Sequence, residues 1–203
     1  MSGRYQASIQ DIHQEEKARP FEERDYIYLL EFDSDVIRYK EQPFRVKYIY
    51  ESRRCTYVPD FFVQRRNKFQ VVENKPDDKA NTQANKIRYR ILKAIFRALG
   101  YEFIVATDAR IRIEPLLENV KIFWRYSRAP VHPHQQVRCQ EYLSVRREAS
   151  IQELADALAP HGVTLQVVYA LLYWGVLSTD MHRPVDPDAI VRFSSAVTPA
   201  YNL

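Results

Sequence analysis

Between residues 36 and 106 the chain alternates short segments rich in β-branched and aromatic residues with polar turns, and breaks that rhythm once with a long helical stretch. Residues 36–39, 44–50, 57–63 and 69–72 read as strands. Arg65-Arg66-Asn67-Lys68 is a polar turn that folds the last two into a hairpin running from Tyr57 to Lys75. Residues 81–99 set Ile87, Ile91, Ile95 and Leu99 at i, i+4 spacing, carry Lys86, Arg90, Lys93 and Arg97 on the polar face, and stop at Gly100. Residues 101–106 return to strand. Strands, a helix and a further strand predict an α/β core with a mixed sheet covered by helices.

The flanks are of different character. Residues 1–19 are polar and without a clear period, an arm or short helix. Pro20 stands where a helix starts, and Phe21, Tyr28, Leu29 and Phe32 recur at helical spacing, so residues 21–32 read as an amphipathic helix that Asp33-Ser34-Asp35 ends. Residues 114–125 read as another helix. The stretch 127–136, with Pro130, Pro133, His132 and His134, reads as a linker whose histidines are solvated, since no further ligands cluster with them. Ser150-Ile151-Gln152-Glu153 is a capping box opening a helix over 151–158, and Pro160-His161-Gly162 turns the chain into a second helix over 164–174. Short strand-like pieces follow, to about Phe193. The expected layout is an arm at 1–19, an α/β domain at 20–127, a linker at 128–136, a small winged-helix-like domain at 137–195 and a tail at 196–203. The second helix of the small domain has no Lys or Arg, which favours a structural or partner-contact surface over base reading there.

Only Cys55 and Cys139 are present, too far apart in sequence for a C-x-x-C pair, so a zinc ribbon or disulfide framework is excluded and a reducing compartment expected. With no leader-like start and no long apolar run, a soluble cytoplasmic protein near the nucleoid is the expectation. Thirty basic residues against 26 acidic ones leave only +4 overall, but the segment from Arg53 to Arg97 holds twelve basic residues and four acids. A basic segment in an otherwise mildly acidic chain can focus a polyanion such as DNA onto one face, and Arg65, Arg66, Lys68, Lys86 and Arg90 are its candidate contacts.

The chemistry lies in the hairpin. Tyr57-Val58-Pro59-Asp60-Phe61-Phe62-Val63 is followed by Val71-Val72-Glu73-Asn74-Lys75. Period two puts Glu73 and Lys75 on one face and Asn74 on the other, and pairing of the strands brings Asp60 beside them. Neighbouring carboxylates repel, and buried charge is costly unless compensated. A divalent cation compensates it. Carboxylate oxygens suit Mg²⁺ or Mn²⁺, which keep several waters and also bind phosphate oxygens. Phosphodiester hydrolysis needs a polarised phosphoryl oxygen, an activated water and a stabilised leaving oxygen, and metal ions contribute to all three, with Lys75 orienting or deprotonating the water. The bland alternative is a surface Glu/Lys pair contributing about 0–1 kcal/mol. The apolar strands around both halves, the acid-bearing helix before and the basic helix after favour a metal-dependent nuclease.

Pro59-Asp60 followed by Glu73-Asn74-Lys75 is the pattern of the PD-(D/E)xK nuclease superfamily, which implies a restriction-endonuclease-like fold. Together with residues 21–44, and with Leu30-Glu31-Phe32 in particular, it resembles the TnsA-like endonuclease subunits of heteromeric cut-and-paste transposases. In that family a helix acid stands eight residues before the Glu of the L-E-[FW] element, so the resemblance implies Glu23, with Glu22 its near rival. It implies Glu23, Asp60 and Glu73 as metal ligands and, with Lys75, as the catalytic set. Some relatives carry Gln where Glu73 stands. The resemblance continues into residues 150–188, where Glu153-Leu154-Ala155, Leu171-Leu172 and Gly175-Val176-Leu177 with Asp180 look like the family's winged-helix domain. Implied partners are double-stranded transposon ends, a DDE transposase that cuts the 3′ ends while this subunit cuts the non-transferred strand at the 5′ ends, and an AAA+ ATPase regulator met by C-terminal segments such as residues 197–203. A stand-alone restriction-like or phage nuclease is the competing reading.

Overall fold

The computed structural model describes residues 7–11 and 21–194, which gather into two compact units. One takes the described residues up to Leu30 with Asp35–Ile111, and the other takes Glu31–Ser34 with the described residues from Arg112 onward.

The first unit runs β1 (Ala7–Asp11), α1 (Phe21–Phe32, its last turn counted with the second unit), β2 (Val36–Glu41), β3 (Phe44–Tyr50), β4 (Arg53–Tyr57), β5 (Phe61–Arg65), β6 (Phe69–Lys75), α2 (Asp77–Ala80), α3 (Gln83–Ala98), β7 (Glu102–Thr107) and α4 (Asp108–Ile111). Two sheets result. The antiparallel order β1-β3-β4 makes one, and β2-β5-β6-β7 makes the other, with only β6 and β7 parallel. A parallel pair needs a crossover, and α3 provides it. The mixed sheet with flanking helices is the α/β architecture expected of the sequence.

Strand alternation explains the packing. Phe44, Val46 and Tyr48 of β3 point inward while Arg45 and Lys47 face water. They meet Tyr57, Val71 and Phe103 and the Ile91, Leu92, Ile95 and Phe96 stripe of α3, with Phe96 and Phe103 stacked at 5.8 Å between ring centroids. Full burial of each such side chain contributes about 1.5–3 kcal/mol. On the other side of the sheet, Tyr26 of α1 lies 5.3 Å from the Phe61 ring. Thr82 caps α3 by accepting from the Asn85 N–H, and Gly100, at φ +82°, ends it where a Cβ would be strained.

Several expectations are corrected. Residues 7–11, within the stretch read as an arm or short helix, are a strand pairing with β3. The strand expected over 57–63 is two, broken at Val58-Pro59-Asp60, because Pro59 has no N–H for a ladder and the chain changes sheets there. The buried stripe of α3 is Ile91, Leu92, Ile95 and Phe96, with Ile87 and Leu99 largely exposed. An i, i+4 row advances about 40° per step on a 3.6-residue helix, so its ends rotate out of the core.

The second unit contains α5 (Leu116–Tyr126), α6 (Pro133–Arg146), β8 (Ala149–Ser150), α7 (Ile151–Leu158), α8 (Leu165–Tyr173), β9 (Leu177–Thr179) and β10 (Ile190–Phe193), its three short strands paired in the order β8-β10-β9. The linker expected at 128–136 is overtaken by α6. Pro133 at the first helical position suits the fixed φ of proline, and the Gln135 side chain accepts from the His132 N–H at 2.8 Å. His132 and His134 are exposed with their rings stacked 5.7 Å apart. Ser150 caps α7 by accepting from Glu153 N–H at 3.0 Å, while the Glu153 carboxylate is taken by Tyr142 and Arg146. Val167 through Leu172 of α8 are buried, which removes most of that helix from any groove. The tail expectation for residues 197–203 lies outside the described residues.

Candidate active site

β5 and β6 position the acids. Phe61 pairs with Val72 and Phe62 with Val71, and the Asp60 N–H donates to the Val72 carbonyl at 3.0 Å, so Asp60 continues the ladder opposite Glu73. Its backbone and side chain are both held. The Asp60 carbonyl accepts from Gln42 N–H at 2.8 Å, and its Oδ2 accepts from Asn74 N–H at 2.6 Å. Glu73 is 5% exposed, and the Lys75 ammonium, two residues on and on the same face, stands 3.5 Å from Glu73 Oε1.

Confinement shows in the electrostatics. The Asp60 pKa is pushed up to about 7, chiefly by burial and next by the Glu73 charge, against the Asn74 N–H bond that favours the carboxylate. Glu23, half-buried on α1, pushes it further up, and Lys75 pulls it down. The four residues singled out in the sequence therefore act on one another: Glu73 and Lys75 are in contact, Asp60 stands opposite Glu73 in the ladder, and Glu73, Glu23 and Lys75 all act electrostatically on Asp60. The side chain of Glu22 lies outside the described residues.

Tyr57 and Tyr89 also face this cluster. Both hydroxyls are buried and neither finds a partner in hydrogen-bonding geometry, yet Glu73 is close enough to raise both phenols, after burial, with Tyr89 pushed up to about 12. The Arg88 guanidinium lies over the Tyr57 ring, 5.3 Å from its centroid, a cation–π contact. On the opposite face of β6 the Asn74 amide is buried with neither side-chain atom partnered. The Tyr57 ring is buried in the core and the Tyr89 ring is partly buried against it. Only the tertiary register shows where the hydroxyls end.

Among the described residues no three His, Cys, Asp or Glu side chains form a ready-made ligand group. The donor chemistry nevertheless fits a hard divalent cation: all the acids offer oxygen, and the Asp60 carboxylate is disfavoured first by burial and next by the Glu73 charge, both of which a cation would offset.

Of the expected DNA contacts, Arg65 is corrected. It is 3% exposed, its Nε donating to Gln70 Oε1 at 2.6 Å and its Nη1 lying 3.4 Å from Asp35 Oδ2, so it ties β5 to β6 and to the start of β2 and offers nothing to a phosphate. Arg66 and Lys68 are exposed on the hairpin turn, Lys68 paired with Glu102 at 3.0 Å. Lys86 and Arg90 are exposed on α3.

A mixed sheet flanked by helices, with a proline-aspartate pair at the head of one strand and a Glu-x-Lys on the next, fits the restriction-endonuclease-like class. More particularly, residues 33–108 match the family described as TnsA-like endonuclease N terminal, and the chain carries a TnsA-like nuclease domain there. That segment contains Asp60, Glu73 and Lys75 and leaves Glu23 outside. No curated protein matches the chain.

Proposed function

We propose that this protein is a metal-dependent DNA endonuclease subunit of a cut-and-paste transposase, cleaving the non-transferred strand at the 5′ ends of the element while a partner DDE transposase cuts the 3′ ends. The observation that carries the reading is the meeting of Asp60, Glu73 and Lys75, with Glu23 acting on Asp60, inside a TnsA-like endonuclease domain.

Asp60, Glu73 and Glu23 would hold Mg²⁺ or Mn²⁺, which when bound polarises the scissile phosphate and favours hydroxide over water. The chain's own groups do the rest. The Asn74 N–H and the Gln42 N–H fix Asp60 so that its carboxylate cannot swing from the site. Lys75, with its side chain about a third exposed, offsets the Glu73 charge and places a cation where attacking water and phosphate arrive. Lys86 and Arg90 on α3, with Arg66 and Lys68 on the hairpin, supply sequence-independent phosphate attraction.

The order α6-β8-α7-α8-β9-β10 with its three-stranded sheet supports a winged-helix role for the second unit. Its buried and uncharged α8 serves the core of that unit and argues against base reading there, so end recognition falls to the transposase. An AAA+ regulator is a further expected partner. No helix among the described residues is long and apolar enough to cross a membrane.

The test is reconstitution with the partner transposase and transposon-end DNA in Mg²⁺. Asp60→Asn and Lys75→Ala should each abolish 5′-strand nicking while 3′-end cutting continues. Undiminished nicking by either variant removes the proposed site.

A further inference from the structure

The first unit holds a second feature that the acid cluster does not use. A polar cleft of about 670 Å³ lies along α3 and β7, closed at one end by α2 and α4. Its basic lining comes from two elements: Lys86, Arg90 and Lys93 from α3, and Arg110 from α4. The α3 residues follow i, i+4, i+7 spacing, one face of the helix, with successive steps of about 6 and 4.5 Å along its axis. Its two lining acids do not balance them. Glu102 is already taken by Lys68 at 3.0 Å and by Gln70 at 2.9 Å, which leaves Asp77 at the α2 end.

The cleft begins at the acid cluster. Lys75, last residue of β6, is paired in register with Thr107, last of β7, and Thr107 lines the cleft. Tyr89 lines it too, while Asp60 and Glu73 act on its phenol. One wall is fixed: the Asp77 N–H, at the start of α2, donates to Asp108 Oδ1 at 2.8 Å, at the start of α4. That bond ties the start of α2 to the start of α4, the helix that brings Arg110 to the cleft.

Resting on the nuclease reading, we propose that this cleft seats the sugar-phosphate backbone of one DNA strand beside the scissile bond, with Lys93 and Arg110 as phosphate contacts that extend the run begun by Lys86 and Arg90. A row of cations on one helix face, joined in the same cleft by one from a separate element, offers successive phosphates a continuous run of contacts. A surface lysine scatter would not.

The full-length protein is titrated with a fluorescein-labelled duplex in EDTA, by anisotropy, across a series of KCl concentrations. Removing one cation that neutralises a phosphate should make log K against log[salt] shallower by about 0.9 on duplex DNA. The double variant Lys93→Gln/Arg110→Gln, checked for wild-type circular dichroism, should therefore lose about two units of slope and bind at least tenfold more weakly at low salt. Lys47→Gln, an exposed cation on β3, should leave the slope unchanged. Wild-type slope in the double variant, an equal drop in Lys47→Gln, or no measurable binding by the wild type would each overturn the proposal. Because the readout is binding without metal, loss of the nuclease reading through active Asp60→Asn would leave this result intact, and the reverse holds.

Discussion

The backbone N–H of Asn74 donates to Oδ2 of Asp60 at 2.6 Å, so the strand that carries Glu73 and Lys75 also anchors the acid that faces them. One peptide unit thus sits at the centre of the site, its flanking side chains on one face and its N–H in the plane of the sheet.

That bond separates two substitutions at one position. Asp60→Asn keeps an acceptor for the Asn74 N–H and removes the charge facing Glu73. Nicking should vanish while the metal-free protein melts a few degrees higher. Asp60→Ala strands the N–H and should cost about 1–3 kcal/mol. Thermal melts in EDTA, set beside the nicking assay, distinguish the pair.

The Asp60 pKa is raised from an ordinary 3.8 to about 7. The folded protein therefore holds this proton more tightly than the unfolded chain. Its contribution is fully present below about pH 4 and is lost as the pH climbs to about 7, on the order of 2–4 kcal/mol in all. Urea midpoints in EDTA at pH 5 and pH 7.5 should fall more for the wild type than for Asp60→Asn. Equal falls would show that Asp60 titrates normally.

Tyr57 is almost fully buried with a hydroxyl that lacks a well-formed hydrogen bond. Tyr57→Phe should leave folding stability within about 1 kcal/mol of wild type, because no good bond is broken. Tyr57→Ala opens a cavity among Phe96, Phe103 and Val46 and should cost about 3–5 kcal/mol by denaturant titration.

Arg65→Met removes a buried guanidinium from Gln70 and Asp35. Stability should drop by roughly 3 kcal/mol, while DNA affinity of the folded protein stays at the wild-type value in the anisotropy titration. A large affinity loss with unchanged stability would restore Arg65 as a phosphate contact.

The strand pattern, the hairpin and the long helix were legible because burial on one side writes period two or period 3.6 into the residues themselves. Asp60, Glu73 and Lys75 were legible for the same reason: two strands of known spacing meet in few registers. Three kinds of information were absent. The burial of Arg65 depends on Gln70 and Asp35, five and thirty positions away, and its charge alone reads as surface. Tyr89 looks like any core aromatic of α3 until its hydroxyl is traced to the acids. The helix Pro133–Arg146 was hidden because prolines and histidines at its start read as loop, although proline at a first helical turn is also a beginning.

Tyr57 closes one sheet and Phe61 opens the other, with only three residues between them. The length of that bridge is consequently fixed in a way that the hairpin tip is not. One residue added at 66–68 lengthens a solvated loop, whereas one added at 58–60 would turn the Asp60 carboxylate to the wrong side of the pleat and slacken the join between the sheets. So short a connection is unforgiving: its length sets where Asp60 stands as firmly as its sequence sets what stands there.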